Sequence, residues 1–183
     1  MSRTDERASV PPGGLLARET GALISALQFA TRLPLPDPGW EPGRLARAAP
    51  WLPVAGLLAG LVAAAVLLAA SMILPPAVSA GLALAAMLAV TGALHEDGLA
   101  DLADAAGGWA SRERALEIMR DSRNGTYGVL ALVLILGLRW SALAAMDPPA
   151  AAAALVLAAM LGRAAMLAVL TRPGPARRDG LAA

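Results

Sequence analysis

Long uncharged stretches alternate with short polar segments along this chain. Residues 52–74 form a run of 23 residues without a charged side chain, which is long enough for a helix to cross a hydrocarbon core of about 30 Å. Pro75 and Pro76 end this run, and residues 77–94 form a second uncharged run. Because the prolines break the helix and the connection is short, the two runs predict a tight membrane hairpin.

Two further apolar runs follow a polar region. Residues 128–146 predict a third membrane-spanning helix and residues 149–170 a fourth, with the sequence Asp147-Pro148-Pro149 at their junction. The pattern therefore predicts an all-α, polytopic integral membrane protein with about four transmembrane helices.

An amphipathic helix is predicted ahead of the first span, over residues 15–33. Apolar residues share one face of this helix, which suits the membrane interface; they are Leu16, Leu23, Leu27 and Ala30. Residues 1–14 predict a disordered tail and residues 172–183 a polar tail. Residues 15–171 are expected to form one membrane-embedded domain.

Composition supports the membrane assignment and removes several other classes of protein. Hydrophobic residues make up 57% of the chain and charged residues 16%, and the mean hydropathy is +0.60. Cysteine is absent from the sequence, which excludes disulfides and thiolate metal sites. The net charge of +1 gives no reason to expect a nucleic-acid partner.

The arginines predict the orientation in the bilayer. Thirteen of the fifteen lie before residue 52, between 94 and 128, or after 170, whereas the two hairpin tips carry none. By the positive-inside rule, the polar segments and the acidic loop face the cytoplasm.

The segment HEDGLADLAD, residues 95–104, concentrates carboxylates directly after an apolar run. On a helix, Asp97, Asp101 and Asp104 fall at positions i, i+4 and i+7, within roughly 60° of one another around the axis. Like charges at this spacing repel, so a cation is expected to balance them. Mg²⁺ prefers carboxylate oxygens and bridges to substrate phosphates, which makes these three aspartates candidate metal ligands.

Other interpretations of this segment stay open. A run of acids is often only a solvated helix face. Glu96 points about a quarter-turn away from Asp97 and is a weaker ligand candidate. His95 is either a general base or, more commonly for a single histidine beside a span, a partner in a structural hydrogen bond.

The segment RDSRNGTYG, residues 120–128, combines guanidinium groups with glycines at the start of the third span. Arginine forks and backbone N–H groups exposed by glycine suit phosphate, although the arginines also fit the positive-inside signal. The candidate residues in this segment are Arg120, Asp121, Ser122, Arg123, Gly125 and Gly128. Together with the acidic segment they indicate metal-assisted chemistry on a phosphate ester or anhydride.

Arg139 and Arg163 lie within the third and fourth predicted spans. Charge is costly there and usually faces protein, water or ligand, so a functional role and a structural one, such as snorkelling to the interface, are both open.

The sequence resembles the adenosylcobinamide-GDP ribazoletransferases, or cobalamin synthases. The similarity covers about residues 20–170, and members of the family are usually longer, with further membrane helices beyond the point where this chain ends. The segments that carry it are TRLPLP (31–36), PWLPVAGLLAG (50–60), TGALHEDGLADLADAAGG (91–108) and RERALEIMRDSRNGTYGVLAL (112–132). One departure is Ala105, where the family pattern leads us to expect glycine.

This resemblance implies a Mg²⁺-dependent transferase of the cell inner membrane that acts late in cobalamin biosynthesis. Such an enzyme joins α-ribazole, or its 5′-phosphate, to adenosylcobinamide-GDP and releases GMP. The bilayer surrounds the enzyme, and a homo-oligomer or contacts with other cobalamin-assembly enzymes are expected partners.

The resemblance also implies roles for individual residues. Asp97, Asp101 and Asp104 hold the metal, and Asp97 or Asp101 also serves as base on the incoming hydroxyl. The second segment binds and orients phosphate: Arg120 and Arg123 hold it, Asp121 and Ser122 orient arginine or water, and Gly125 and Gly128 let the backbone approach it closely.

Two alternatives belong to other classes. A CDP-alcohol phosphotransferase also uses membrane aspartates at helical spacing, but it needs an Ala-Arg pair soon after the first Asp-Gly, where this chain has Leu99, Ala100 and Asp101. A cation transporter would place acids along a membrane pathway.

Overall fold

The computed structural model describes residues 14–39, 43–107, 111–119 and 123–171, and these residues form helices and connecting segments without strands. The predicted all-α class is therefore confirmed. Both predicted tails lie outside the described residues, except for Gly14 at the end of the first. The helices are α1 (Leu15–Ala30), α2 (Arg44–Ala48), α3 (Leu52–Ser71), α4 (Pro76–Thr91), α5 (Leu94–Gly107), α6 (Arg112–Ile118), α7 (Thr126–Ala144) and α8 (Pro148–Leu170).

Three helical stretches are long and apolar enough to cross a membrane. They are Ala46–Ser71, which includes α3, and the helices α7 and α8. The second predicted span differs, because α4 has only 16 residues and the chain then bends by 90° into α5. About four spans are therefore reached only when α4 and α5 count as one broken span.

Left-handed backbone produces the bend. Gly92 caps the end of α4 with φ 64°, and Ala93 also has a positive φ of 56°, so the helix cannot continue to residue 94 as the uncharged run predicts. Arg32 lies across the bend: its backbone N–H donates to the Val90 carbonyl at 2.7 Å, and its side chain occupies the space where a side chain on residue 92 would stand. Glycine at position 92 is required by both its φ and this close approach.

Small residues let α3 and α8 approach each other closely. Side chains on Gly56 or Gly60 would collide with the α8 backbone at Ala159 and Val156. Glycines four residues apart on a spanning helix are typical of such interfaces, where close backbone packing replaces the hydrophobic effect. The buried cluster around this pair extends to α4 and α7 through Ala63, Leu67, Ala80, Ala83, Leu84, Met87, Leu143, Ala151, Leu155 and Ala159.

The amphipathic helix is present as α1. Of its predicted apolar face, Ala30 is buried, Leu27 packs against a buried cluster, and Leu16 is 84% exposed. The residues that pack inward are small, namely Gly21, Ala22, Ala26 and Ala30. Packing in α1 is therefore decided by how closely the backbone can approach its neighbours.

We expect Gly56→Ala to destabilise the protein and Gly162→Ala not to. The added methyl at position 56 meets the Ala159 carbonyl, and relieving such overpacking typically costs about 1–3 kcal/mol. Gly162 lies on α8 with open space around it, so alanine there should leave stability unchanged or raise it slightly. Thermal unfolding in detergent, followed by circular dichroism, compares the two; equal Tm values would contradict the close contact.

Candidate active site

The three aspartates of the acidic segment lie on one helix, as their spacing predicts. The helix α5 runs for 14 residues from Leu94 to Gly107. Asp97 is exposed, whereas Asp101 and Asp104 are partly buried. The negative charges of Asp97 and Asp104 both act on the Asp101 carboxylate, so the three acids repel one another when no cation is bound.

The carboxylates do not converge into a ready-made metal cage. In the described part of the chain, no group of three or more histidine, aspartate or glutamate side chains is arranged to hold a metal ion. Metal ligation by Asp97, Asp101 and Asp104 therefore stays a prediction, and Asp104 has a different partner.

Asp104 binds the start of α7. Its Oδ2 accepts a hydrogen bond from the Gly125 N–H at 2.7 Å, and its Oδ1 accepts one from the Gly128 N–H at 2.9 Å. The first N–H groups of a helix have no partner within the helix, and Gly125, the N-cap residue, has no side chain to satisfy them. A carboxylate from α5 fills this role, and its charge also suits the positive end of the helix dipole.

The two glycines make this contact possible. A side chain on Gly125 or Gly128 would collide with the Asp104 carboxylate, and one on Gly128 would also press on the Ala100 carbonyl. The sequence pattern predicts that these backbone N–H groups face a phosphate. In the structure both donate to Asp104 instead, so the glycines serve the close approach of α5 to α7.

The helices α5 and α7 lie side by side and run in opposite directions. Glu96, near the start of α5, pairs with Arg139, near the end of α7, with 3.0 Å between Oε1 and Nη1. Asp104, near the end of α5, contacts the start of α7. The acidic segment, expected as a cytoplasmic loop, is thus a helix that packs along a candidate membrane span.

Arg163 also reaches the first turn of α5. Only 7% of its surface is exposed, and its Nη2 lies 3.4 Å from the His95 Nδ1, while its Nη1 donates to the Ala159 carbonyl at 3.4 Å. Both arginines within the predicted spans therefore face protein. His95 takes part in the structural contact that the sequence favours, and Glu96, the weaker ligand candidate, is the partner of Arg139.

The predicted phosphate segment, residues 120–128, lies only in part within the described residues. Arg120, Asp121 and Ser122 lie outside the described residues, whereas Arg123 is exposed two residues before Gly125. The helix α6 precedes this segment, and Ser111 caps its start, because the Arg114 backbone N–H donates to the Ser111 Oγ at 3.3 Å. Because Gly125 and Gly128 bind Asp104, the acidic segment and the end of the phosphate segment meet in space.

These features define a class: an all-helical membrane protein in which a carboxylate-bearing helix is fixed to the glycine-rich start of a spanning helix. Residues 22–183 match the family model described as cobalamin-5-phosphate synthase, and the chain belongs to this family. No solved structure matches the chain.

Curated relatives support the same assignment. A protein of Bradyrhizobium diazoefficiens is 53% identical over 162 residues, covering 86% of this chain and 62% of the relative. One from Sinorhizobium medicae is 50% identical over 166 residues, covering 86% of this chain and 63% of the relative. Both are named adenosylcobinamide-GDP ribazoletransferase. The chain spans a little over three fifths of the length of these relatives.

Replacing Asp104 by asparagine should lower the stability of the protein, whereas the same replacement of Asp101 should not. Asparagine at position 104 can accept from only one of the two N–H donors, Gly125 and Gly128, because its NH₂ group faces the other. The loss of a hydrogen bond to a charged group costs about 1.5–3 kcal/mol. Asp101→Asn relieves repulsion from Asp97 and Asp104, which is worth a few tenths of a kcal/mol per pair.

Thermal unfolding in detergent with a chelator present measures both effects. We expect Asp104→Asn to lower the Tm by several degrees and Asp101→Asn to leave it equal or higher. A wild-type Tm for Asp104→Asn would show that its bonds to α7 contribute nothing to stability.

Proposed function

We propose that this chain carries the metal-binding and phosphate-binding part of an adenosylcobinamide-GDP ribazoletransferase. The reaction transfers the adenosylcobinamide phosphate group from adenosylcobinamide-GDP to α-ribazole, or to its 5′-phosphate, and releases GMP. Family membership and the names of the relatives support this activity. The single structural observation that carries it is the pair of hydrogen bonds that the Asp104 carboxylate accepts from the Gly125 and Gly128 N–H groups, which joins the acidic segment to the phosphate segment.

Magnesium fits the residues that the acidic helix presents. Asp97 and Asp101 lie one helical turn apart, both are accessible at least in part, and their mutual repulsion favours a bound cation. Mg²⁺ is commonly held by one or two carboxylates, with waters and substrate phosphates completing its shell. Asp104 can add a ligand only through the lone pairs that its two N–H donors leave free. When bound, the metal supplies neutralising charge for the phosphates of the substrate.

The proposed chemistry is a displacement at phosphorus. A ribose hydroxyl attacks the phosphorus that stays with the cobinamide, a new P–O bond forms, and the anhydride bond to the GMP phosphate breaks with its electron pair leaving on GMP. The hydroxyl proton passes to the carboxylate of Asp97 or Asp101. Arg120 and Arg123 hold the phosphates as guanidinium donors, and Asp121 and Ser122 orient arginine or water.

The cellular setting is proposed from the charge pattern. Thirteen arginines in the segments flanking the spans support a cytoplasmic location for the acidic helix, at the inner membrane. Association with a second copy, or with other enzymes of cobalamin assembly, belongs to the same proposal. The assignment to this family favours the transferase over the CDP-alcohol phosphotransferase and the cation transporter.

An activity assay on the purified protein tests the proposal. With adenosylcobinamide-GDP and α-ribazole, we expect GMP to be released only when Mg²⁺ is present. Asp101→Asn should lower the turnover rate by about 100-fold or more, because a metal ligand and a candidate base are lost together.

Glu113→Gln is the matched control, since Glu113 is an exposed acid of α6 outside the proposed site. It should leave the rate unchanged. If Asp101→Asn turns over at the wild-type rate, its assignment as a metal ligand is wrong. If the wild-type protein releases no GMP with either acceptor, the transferase proposal itself fails.

A further inference from the structure

Two arginines from different spanning helices reach the same turn of α5. Arg139 on α7 pairs with Glu96, and Arg163 on α8 contacts His95. These two partners are adjacent in sequence and immediately precede Asp97. The turn that leads into the proposed metal ligands is therefore held from two directions.

Glu96 is the counter-ion of Arg139. Its Oε1 lies 3.0 Å from the Arg139 Nη1. The Glu96 side chain is 15% exposed and that of Arg139 is 34% exposed, so water screens their attraction only in part. Removing one partner of such a pair leaves a poorly compensated charge among apolar helices.

Arg163 fixes this turn to the most closely packed part of the bundle. Its Cδ lies against Gly56 of α3, at a point where a side chain on residue 56 would meet it. It contacts His95 through Nη2, while Nη1 bonds to its own helix at Ala159. The start of α5 is therefore held relative to the α3–α8 pair, and its other end is held by Asp104.

The two attachments leave the proposed ligands between them. Side chains of successive residues on a helix point about 100° apart, so Glu96 turns toward Arg139 while Asp97 is exposed. Rotation of α5 about its axis would break the contact of Glu96 with Arg139. The direction of Asp97 and Asp101 is thus coupled to a contact that neither of them makes.

We propose that Glu96, paired with Arg139, is a positioning residue that sets the orientation of Asp97 and Asp101 for metal binding. This inference rests on the proposed function for the identity of the ligands. The attachment of α5 itself is testable without activity.

The absence of cysteine from the chain provides a clean background for a spin label. Leu102, 57% exposed on α5 and outside the proposed site, is replaced by cysteine and labelled with a nitroxide. We expect the label to become more mobile in Glu96→Gln and in Arg139→Gln, and to return toward the wild-type line shape when Glu96→Arg and Arg139→Glu are combined. Arg139→Lys, which keeps the charge, should stay close to wild type.

Binding of Mn²⁺ to the unlabelled protein, followed by the signal of the free ion, provides the second measurement. Residues that orient metal ligands typically change affinity by about 10–100-fold, so Glu96→Gln and Arg139→Gln should weaken Mn²⁺ binding by at least tenfold, with recovery in the charge swap. Arg114→Gln is the matched control, because it breaks an exposed ion pair of similar length on α6. It should change neither measurement.

The outcomes separate the two proposals. Unchanged label mobility and unchanged Mn²⁺ affinity in Glu96→Gln would overturn the positioning role, as would equal effects from Arg114→Gln. If the wild-type protein binds no Mn²⁺, the metal assignment of the proposed function fails, and this positioning role falls with it. Increased label mobility would then support only the attachment of α5.

Discussion

The backbone N–H groups at the start of α7 need acceptors that their own helix cannot supply, and Asp104 supplies two of them from α5. This requirement determines both the residues at the start of α7 and the position of α5. The carboxylate must come close to the backbone, which calls for glycine at positions 125 and 128. It also brings the acidic helix beside the segment that carries Arg123. The proximity of the acidic segment to the segment of Arg123 therefore follows from satisfying one helix terminus.

Charged groups within the bundle follow a related logic. Arg139 and Arg163 lie on helices that are otherwise apolar, where an isolated guanidinium would be costly. Both turn toward α5, whose first turn provides Glu96 and His95. Polar contacts thus hold α5 at both ends, whereas α3 and α8 are held together by close packing of small residues.

The apolar runs predicted the spanning helices well, because length without charge is nearly sufficient to identify such a helix. Both the first and the last residues of α3, α7 and α8 lie within a few positions of the predicted ones. The bend after α4 was not predicted, since it depends on the left-handed conformation of Ala93, a residue that rarely adopts it. The close contact at Gly56 and Gly60 had a readable signal in their four-residue spacing.

The candidate site was predictable in composition but not in its contacts. The spacing of Asp97, Asp101 and Asp104 correctly places them on one helix. Their partners are far away in sequence: Asp104 binds residues 21 and 24 positions later, and Glu96 binds one 43 positions later. Helical periodicity carries no information about such distances, so it could not distinguish an aspartate that binds a helix terminus from its neighbours.

The small size of the buried side chains reverses a familiar rule of tolerance. In water-soluble proteins the bulky residues fill the core and are the least replaceable. Here alanines dominate the buried positions, while large residues such as Leu61, Leu134 and Leu161 lie on the outside. A side chain that faces lipid needs little more than to be apolar. Leucine, valine and isoleucine should therefore replace one another freely at these outward positions. Neutral substitutions in this chain are therefore expected to accumulate at the positions of its large outward side chains and to be rare at the positions of its small buried ones.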